Sequence, residues 1–455
     1  MSTADLARRM QKYRESGAKQ ALIGLSDIDG VLRGKFVDLH KLESLMEKGG
    51  GFCDCVFGWD VNDQLYDNGR YTGWHTGFPD ADYRLITATE RVIPDRNVPY
   101  FLGEFVGQGG TEHALCPRSL LRRTVERLAE HGLTVKAGFE YEFFVFNEDP
   151  ETVRAKQYRD LRPLTPGNFG YSVLRTAANA EMFTGLMDYC REFGFPLEGL
   201  HCETGPGVWE GAFEIAEGLE AADRAMLFKT FAKAYFQQRS KLATFMAKWS
   251  MAYPGQSGHF HFSLYDKNGN NVLAADKSGR LSHTTKSALG GLVTYIPQFL
   301  SMLAPTINSY TRLVRGAWAP TAATWGIENR TAAFRVITGS ADRQHIENRV
   351  GGADANPYLV AAATLGAVLL GITEKIDPGE PVEGNAYELE GSLDEALCFE
   401  SSLRDSARRF DASSAARAFF GDEFVSHFVG TRLWEASERD RNIDDWQLSR
   451  YLEII

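Results

Sequence analysis

Apolar positions spaced among mixed charges in the opening stretch MSTADLARRMQKYRESGAKQ predict an amphipathic helix. The next segment, ALIGLSDIDGVLRGKFVDL, alternates apolar and polar residues on either side of Asp29-Gly30 and predicts two short strands of a small N-terminal domain. The polar, glycine-rich stretch from Gly107 to His113 closes that domain near residue 111. Cys116-Pro117-Arg118-Ser119 then opens a helix, LLRRTVERLAEHG, that stops at Gly132. In the larger domain, residues 112–455, strand-like runs (TVKAGFEYEFFVF, GHFHFSLYD, AAFRVI) alternate with helical ones (GLEAADRAMLFKTFAKAYFQQRSKLATFMAKW, KSALGGLVTYIPQFLSMLAP). This pattern predicts an α+β architecture with helices packed over a largely antiparallel sheet. The apolar run from Tyr358 to Ile372 is broken by Thr364, Gly366 and Gly371 and falls short of the ~20 residues a membrane span needs, so it predicts a buried helix.

Composition narrows the partners. The chain has 455 residues, 44% hydrophobic and 24% charged, as expected of a folded globular protein. A net charge of −11 repels phosphate backbones and anionic lipid surfaces, which argues against nucleic acid and membrane as partners. The start lacks the apolar core of a secretory signal, so a cytoplasmic location is expected. Of 6 cysteines only Cys53 and Cys55 are close together, and they are read as structural or incidental.

The chain contains neither Gly-x-x-x-x-Gly-Lys-Ser/Thr nor Gly-x-Gly-x-x-Gly after a strand. It offers instead charged residues two apart inside apolar strands. Glu140 and Glu142 share one face of AGFEYEFFVF, opposite Phe139, Tyr141 and Phe143. His259, His261 and Ser263 do the same in GHFHFSL, and Glu347 aligns with Arg349 in HIENRV. HCETGPGVWEG adds Glu203 and Glu210 around a Gly-Pro-Gly turn. Buried unpaired carboxylates cost several kcal/mol each, so neighbouring ones call for a cation. Oxygen ligands with imidazole and no thiolate suit Mg²⁺ or Mn²⁺, ions that usually accompany phosphate. Arg312, Arg330, Arg335 and Arg349 supply guanidinium forks for carboxylates and phosphates.

Taken in order, DGVLRGK, GFEYEFFVF, ETGPGVWE, SGHFHFS, NSYTRL, ENRTAAFR and IENRVGGADANPYL resemble the glutamine synthetase family over nearly the whole chain. The resemblance implies a small β-grasp N-terminal domain (1–111) and a catalytic domain (112–455). It also implies stacked rings, commonly two hexamers forming a homododecamer, with each site completed by a neighbour's N-terminal domain. By motif, Glu142, Glu203 and Glu210 would ligate one divalent ion and Glu140, His259 and Glu347 a second. Gly255, Arg312 and Arg349 would hold glutamate, Arg330 and Arg335 the phosphates, and His261 with Ser263 the nucleotide. The implied reaction uses ATP to convert glutamate to γ-glutamyl phosphate, from which an amine displaces phosphate.

In the glutamine synthetases of this family a flap glutamate precedes Ala-Pro; here RLVRGAWAP puts Trp318 at the matching place. Val208 likewise stands where the family often has Gln. An apolar wall favours the hydrocarbon tail of a substituted amine, at ~0.8 kcal/mol per buried methylene, over ammonium. The expected activity is therefore a glutamate–amine ligase making a γ-glutamylamide from glutamate, ATP and a small amine, and a monoamine fits better than a polyamine. The alternatives are a glutamine synthetase using ammonia and a catalytically silent structural ring. Asp60 is the candidate for deprotonating the amine, and Asp60 with Asp63 are the only candidates for a second positive charge on it. Tyr387, in a shortened counterpart of the family's adenylylated loop, is expected to be structural.

Overall fold

The structure, a computed structural model, describes residues 2–455. The opening helix, Thr3–Glu15, buries Leu6, Met10 and Tyr13 along one stripe. Gln20–Ser26 pairs antiparallel with Leu32–Asp38 and parallel with Val98–Phe105. The sheet continues through Asp80–Leu85 to Gly50–Cys53, and Arg91–Ile93 joins beside Val98–Phe105. This mixed order, with helix Leu39–Lys48 packed on it, is a β-grasp. The first connection is wider than a two-residue turn. Asp27 organises it by accepting from the Asp29 and Val31 amides at 3.0 and 2.8 Å.

A second, 9-stranded sheet carries the rest of the chain. Its spine runs from Trp325–Ile327 through Phe334–Ile337, His345–Asn348, Gly258–Tyr265, Thr134–Phe146 and Val208–Phe213 to Leu197–Cys202. Every pairing is antiparallel except the one between Trp325–Ile327 and Phe334–Ile337. On one face Phe139, Tyr141 and Phe143 are buried against helix Gly218–Gln237. That helix is shorter than its apolar run predicts. The chain turns at Ser240, whose φ of 54° is left-handed, and Leu242–Thr244 returns as a strand along Phe144–Phe146.

Helix Pro357–Glu374 is long and apolar enough to cross a membrane, yet it lies inside the core against helix His283–Leu303. Glycine makes that approach close: a Cβ on Gly291 would sit 2.0 Å from the Ala367 carbonyl oxygen, and one on Gly371 would sit 2.2 Å from that of Ser287. Gly291→Ala is accordingly expected to cost about 3 kcal/mol by forcing the helices apart, read as a lower denaturant midpoint at unchanged slope.

Glu104, fully buried on the small sheet, receives Ser119, Arg118 and Arg122 from helix Pro117–Glu130, and Arg118 also forks onto Asp223 with two 2.9 Å bonds. A buried charge network thus ties the β-grasp sheet to the larger domain.

Candidate active site

Strand register builds the site. Glu142 lies opposite Glu210, which lies opposite His201; Glu140 lies opposite His259; His261 lies opposite Glu347, which lies opposite Arg335. Directly paired residues project from the same face, so six strands deliver one patch of carboxylates, imidazoles and guanidinium groups. Because the period is two, the aromatic residues between them point into the core.

The patch has two lobes. In one, His201 Nε2 stands 3.2 Å from Glu203 and 3.7 Å from Glu210, a grouping compact enough to hold a metal ion. In the other, His259 Nδ1 is 3.4 Å from Glu347 and 3.8 Å from Glu140, and neither ring nitrogen of His259 has a hydrogen-bond partner among the described residues. Glu142 sits between the lobes and accepts from the Ser257 amide at 2.5 Å. Burial and the nearby carboxylates of Glu140, Glu142 and Glu203 raise the Glu210 carboxyl to about 12, so it is protonated when no cation is present. Glu140 moves the opposite way: burial opposes ionisation, but the neighbouring Glu210 carboxyl and the His259 and His261 rings close beside it outweigh burial, and its pKa falls well below the ordinary value. For Glu347 burial is likewise overcome, by His261, Arg349 and His259, and its pKa falls to about 2.

Cationic groups border the second lobe. Arg335 bridges Glu347 at 3.1 Å and Glu328 at 2.6 Å, and Arg349 pairs with Glu347. The Nε–H groups of Arg335 and Arg349 are buried without an acceptor among the described residues. Arg312, at 2% exposure, donates to the carbonyls of Val350 and Arg349 and to Ser257 Oγ, and burial lowers its pKa to about 10. Gly255 makes room for it: a Cβ there would be 2.7 Å from Arg312 Cγ and 2.7 Å from the Ala247 carbonyl oxygen. Ser263 donates to the Gln344 carbonyl, and with Glu140, Phe213, His261 and His345 it lines a cleft of about 480 Å³.

Several expected residues lie outside this chain's own patch. Arg330 is exposed in the turn ahead of strand Phe334–Ile337, not on that strand, and lines a separate cleft with Glu328 and Val382. Asp60 has its own local work. One oxygen accepts the amides of Asn62 and Gln64 and the other accepts Trp434 Nε1, which makes it a turn organiser bound to helix Asp422–Asp440. Asp63 pairs with Arg33 at 2.8 Å, so its charge is already met. Val208 is not a wall residue: it is 1% exposed beneath the surface, packed with Phe144 and Phe146. Trp318 is 58% exposed in a turn with φ of 60°. Tyr387 is buried.

Residues that motif reading passed over also reach the site. His201 and His345 lie two positions before Glu203 and Glu347, so the spacing rule that marked the carboxylates marks them too. Tyr171 stacks on His201 with ring centroids 4.4 Å apart, a contact that no local pattern signals.

The pattern described as "Glutamine synthetase, catalytic domain" matches residues 114–451. The chain belongs to the glutamine synthetase family. It is an ATP-dependent carbon–nitrogen ligase. Type-1 glutamine synthetase 2 of Dictyostelium discoideum is 43% identical over 94% of this chain and 83% of its own length. Glutamate–isopropylamine ligase of a Pseudomonas species is 35% identical over 95% of both. Ligand-free GmaS superposes with a TM-score of 0.83 at 25% identity, covering 98% of this chain and 99% of that one. The β-grasp and antiparallel-sheet architecture is therefore the family's own.

Proposed function

We propose that this ligase joins the γ-carboxylate of glutamate to a small primary amine through γ-glutamyl phosphate. The observation that carries the reading is the convergence of five carboxylates and paired histidines on one sheet face beside the Nε–H groups of Arg335 and Arg349, which have no acceptor among the described residues. The donor set fits two Mg²⁺ or Mn²⁺ ions. Glu142, Glu203 and Glu210 would hold one, and Glu140, His259 and Glu347 the other. The unpartnered His259 ring and the crowded carboxylates are what a cation would satisfy. Bound there, the ions would neutralise charge on the transferring phosphoryl group.

Arg312, Arg349 and Gly255 form the proposed glutamate cradle. Arg335, which bridges Glu347 on the patch, would face the phosphates. The cleft lined by Phe213, His261 and Ser263 would take the nucleotide. The γ-carboxylate oxygen bonds to the terminal phosphorus as ADP leaves; the amine nitrogen then bonds to the acyl carbon as phosphate leaves, and the amine gives up a proton. We place the enzyme in the cytoplasm as two stacked hexameric rings, which light scattering checks as a mass twelve times the 50.7 kDa chain.

Trp318 and the likeness to an isopropylamine ligase support an alkylamine, while the Dictyostelium relative supports ammonia as the second reading. Phosphate release with Mg²⁺, glutamate and a panel of amines separates them. The expected result is a kcat/KM for at least one alkylamine well above that for ammonium. Ammonium equal to or better than every alkylamine establishes the second reading, and silence with all of them establishes a structural ring.

A further inference from the structure

Beside the second lobe two imidazoles touch each other. His261 Nδ1 is 3.1 Å from His345 Nε2, and His345 Nδ1 is 2.6 Å from the carbonyl oxygen of Arg343. A carbonyl oxygen only accepts, so the proton in the second contact belongs to His345 Nδ1. A neutral His345 then has a lone pair at Nε2, and the proton between the rings belongs to His261 Nδ1. The remaining nitrogen, His261 Nε2, is left facing the carboxylates, 3.2 Å from Glu140 and 3.9 Å from Glu347. It is buried and has no well-aligned hydrogen-bond partner among the described residues. Imidazoles that ligate metals characteristically have the far nitrogen fixed in this way, because the second bond sets both tautomer and ring orientation.

We propose that His345 is a positioning residue that turns His261 Nε2 into the gap between Glu140 and Glu347, where it becomes a further protein donor to the cation of that lobe. The inference rests on the two-cation reading above. The relay ends on the backbone of Arg343, in the turn just before strand His345–Asn348, so the segment that presents Glu347 also sets the orientation of His261. The motif assignment gave His261 to the nucleotide; the hydrogen-bond chain gives its inner nitrogen to the metal.

The test is titration of the metal-free, full-length protein with Mn²⁺ alone, followed by electron paramagnetic resonance, with kcat and KM for ATP measured in parallel. His345→Leu removes the acceptor and is expected to weaken one class of Mn²⁺ sites by roughly 10- to 100-fold. His345→Gln places an amide oxygen near the old Nε2 position and should restore affinity to within about threefold of wild type. His345→Asn stops short of that position and should behave as His345→Leu does, which keeps the test decisive if the leucine variant folds poorly. Wild-type affinity in His345→Leu or His345→Asn, or equal loss in all three variants, overturns the positioning role. A wild-type protein that binds no Mn²⁺ at millimolar concentration overturns the two-cation reading itself, a result distinct from failure of the relay.

Discussion

Glu210→Gln is expected to leave the metal-free protein as stable as wild type while lowering kcat/KM for the ligation roughly a thousandfold. The two effects separate because the carboxamide matches the protonated acid in shape, and Glu210 is protonated when no cation is present. The neighbours Glu140 and Glu142 therefore lose no favourable partner in the empty site. A bound cation needs the ionised oxygen, and the amide is a poorer ligand without the charge. Stabilisation by divalent metal follows RT ln(1 + [L]/Kd), so adding Mg²⁺ or Mn²⁺ should raise the melting temperature of wild type and raise that of Glu210→Gln much less. Thermal scans with and without metal, paired with a phosphate-release assay, measure both halves. An active Glu210→Gln variant, or a metal-induced rise equal to that of wild type, would remove Glu210 from the cation site.

Trp318→Glu carries the other large expectation. The tryptophan is more than half exposed, so the ring is available to a ligand or a neighbouring subunit rather than committed to this chain's core. Replacing it by a carboxylate removes an apolar surface and adds an acceptor for ammonium. At ~0.8 kcal/mol per buried methylene, losing the contact with a three-carbon tail should move the alkylamine-to-ammonium selectivity ratio by roughly 50-fold toward ammonium. Trp318→Gly separates ring from backbone. Glycine adopts the φ of 60° without strain, so any selectivity change there reflects the lost ring. Unchanged selectivity in Trp318→Glu would exclude the flap as the determinant of amine choice.

The carboxylate face was readable from the chain because sheet geometry is so restrictive. Glu140 and Glu142, or His259 and His261, can share a face only if the strand is regular, and the aromatic residues between them supply the burial that keeps it so. The same rule reaches His201 and His345. It does not reach Tyr171, whose stacking on His201 depends on a loop, nor Asp60 and Asp63, whose carboxylates are claimed by turn amides, Trp434 and Arg33. Val208 shows the complementary failure: its apolar character was plain, but its depth beneath Phe144 and Phe146 depends on residues far along the chain.

Periodicity alone thus determined the largely antiparallel sheet, the donor types and the face on which each stands, since side-chain direction in a strand follows from counting by two, while the β-grasp came from the family resemblance. Only the tertiary structure decided which donors meet across strands and which carboxylates are already engaged. It also brought the His261 and His345 rings into contact. Those outcomes depend on register between segments as distant as Glu140 and Glu347, and on burial, which no local window contains.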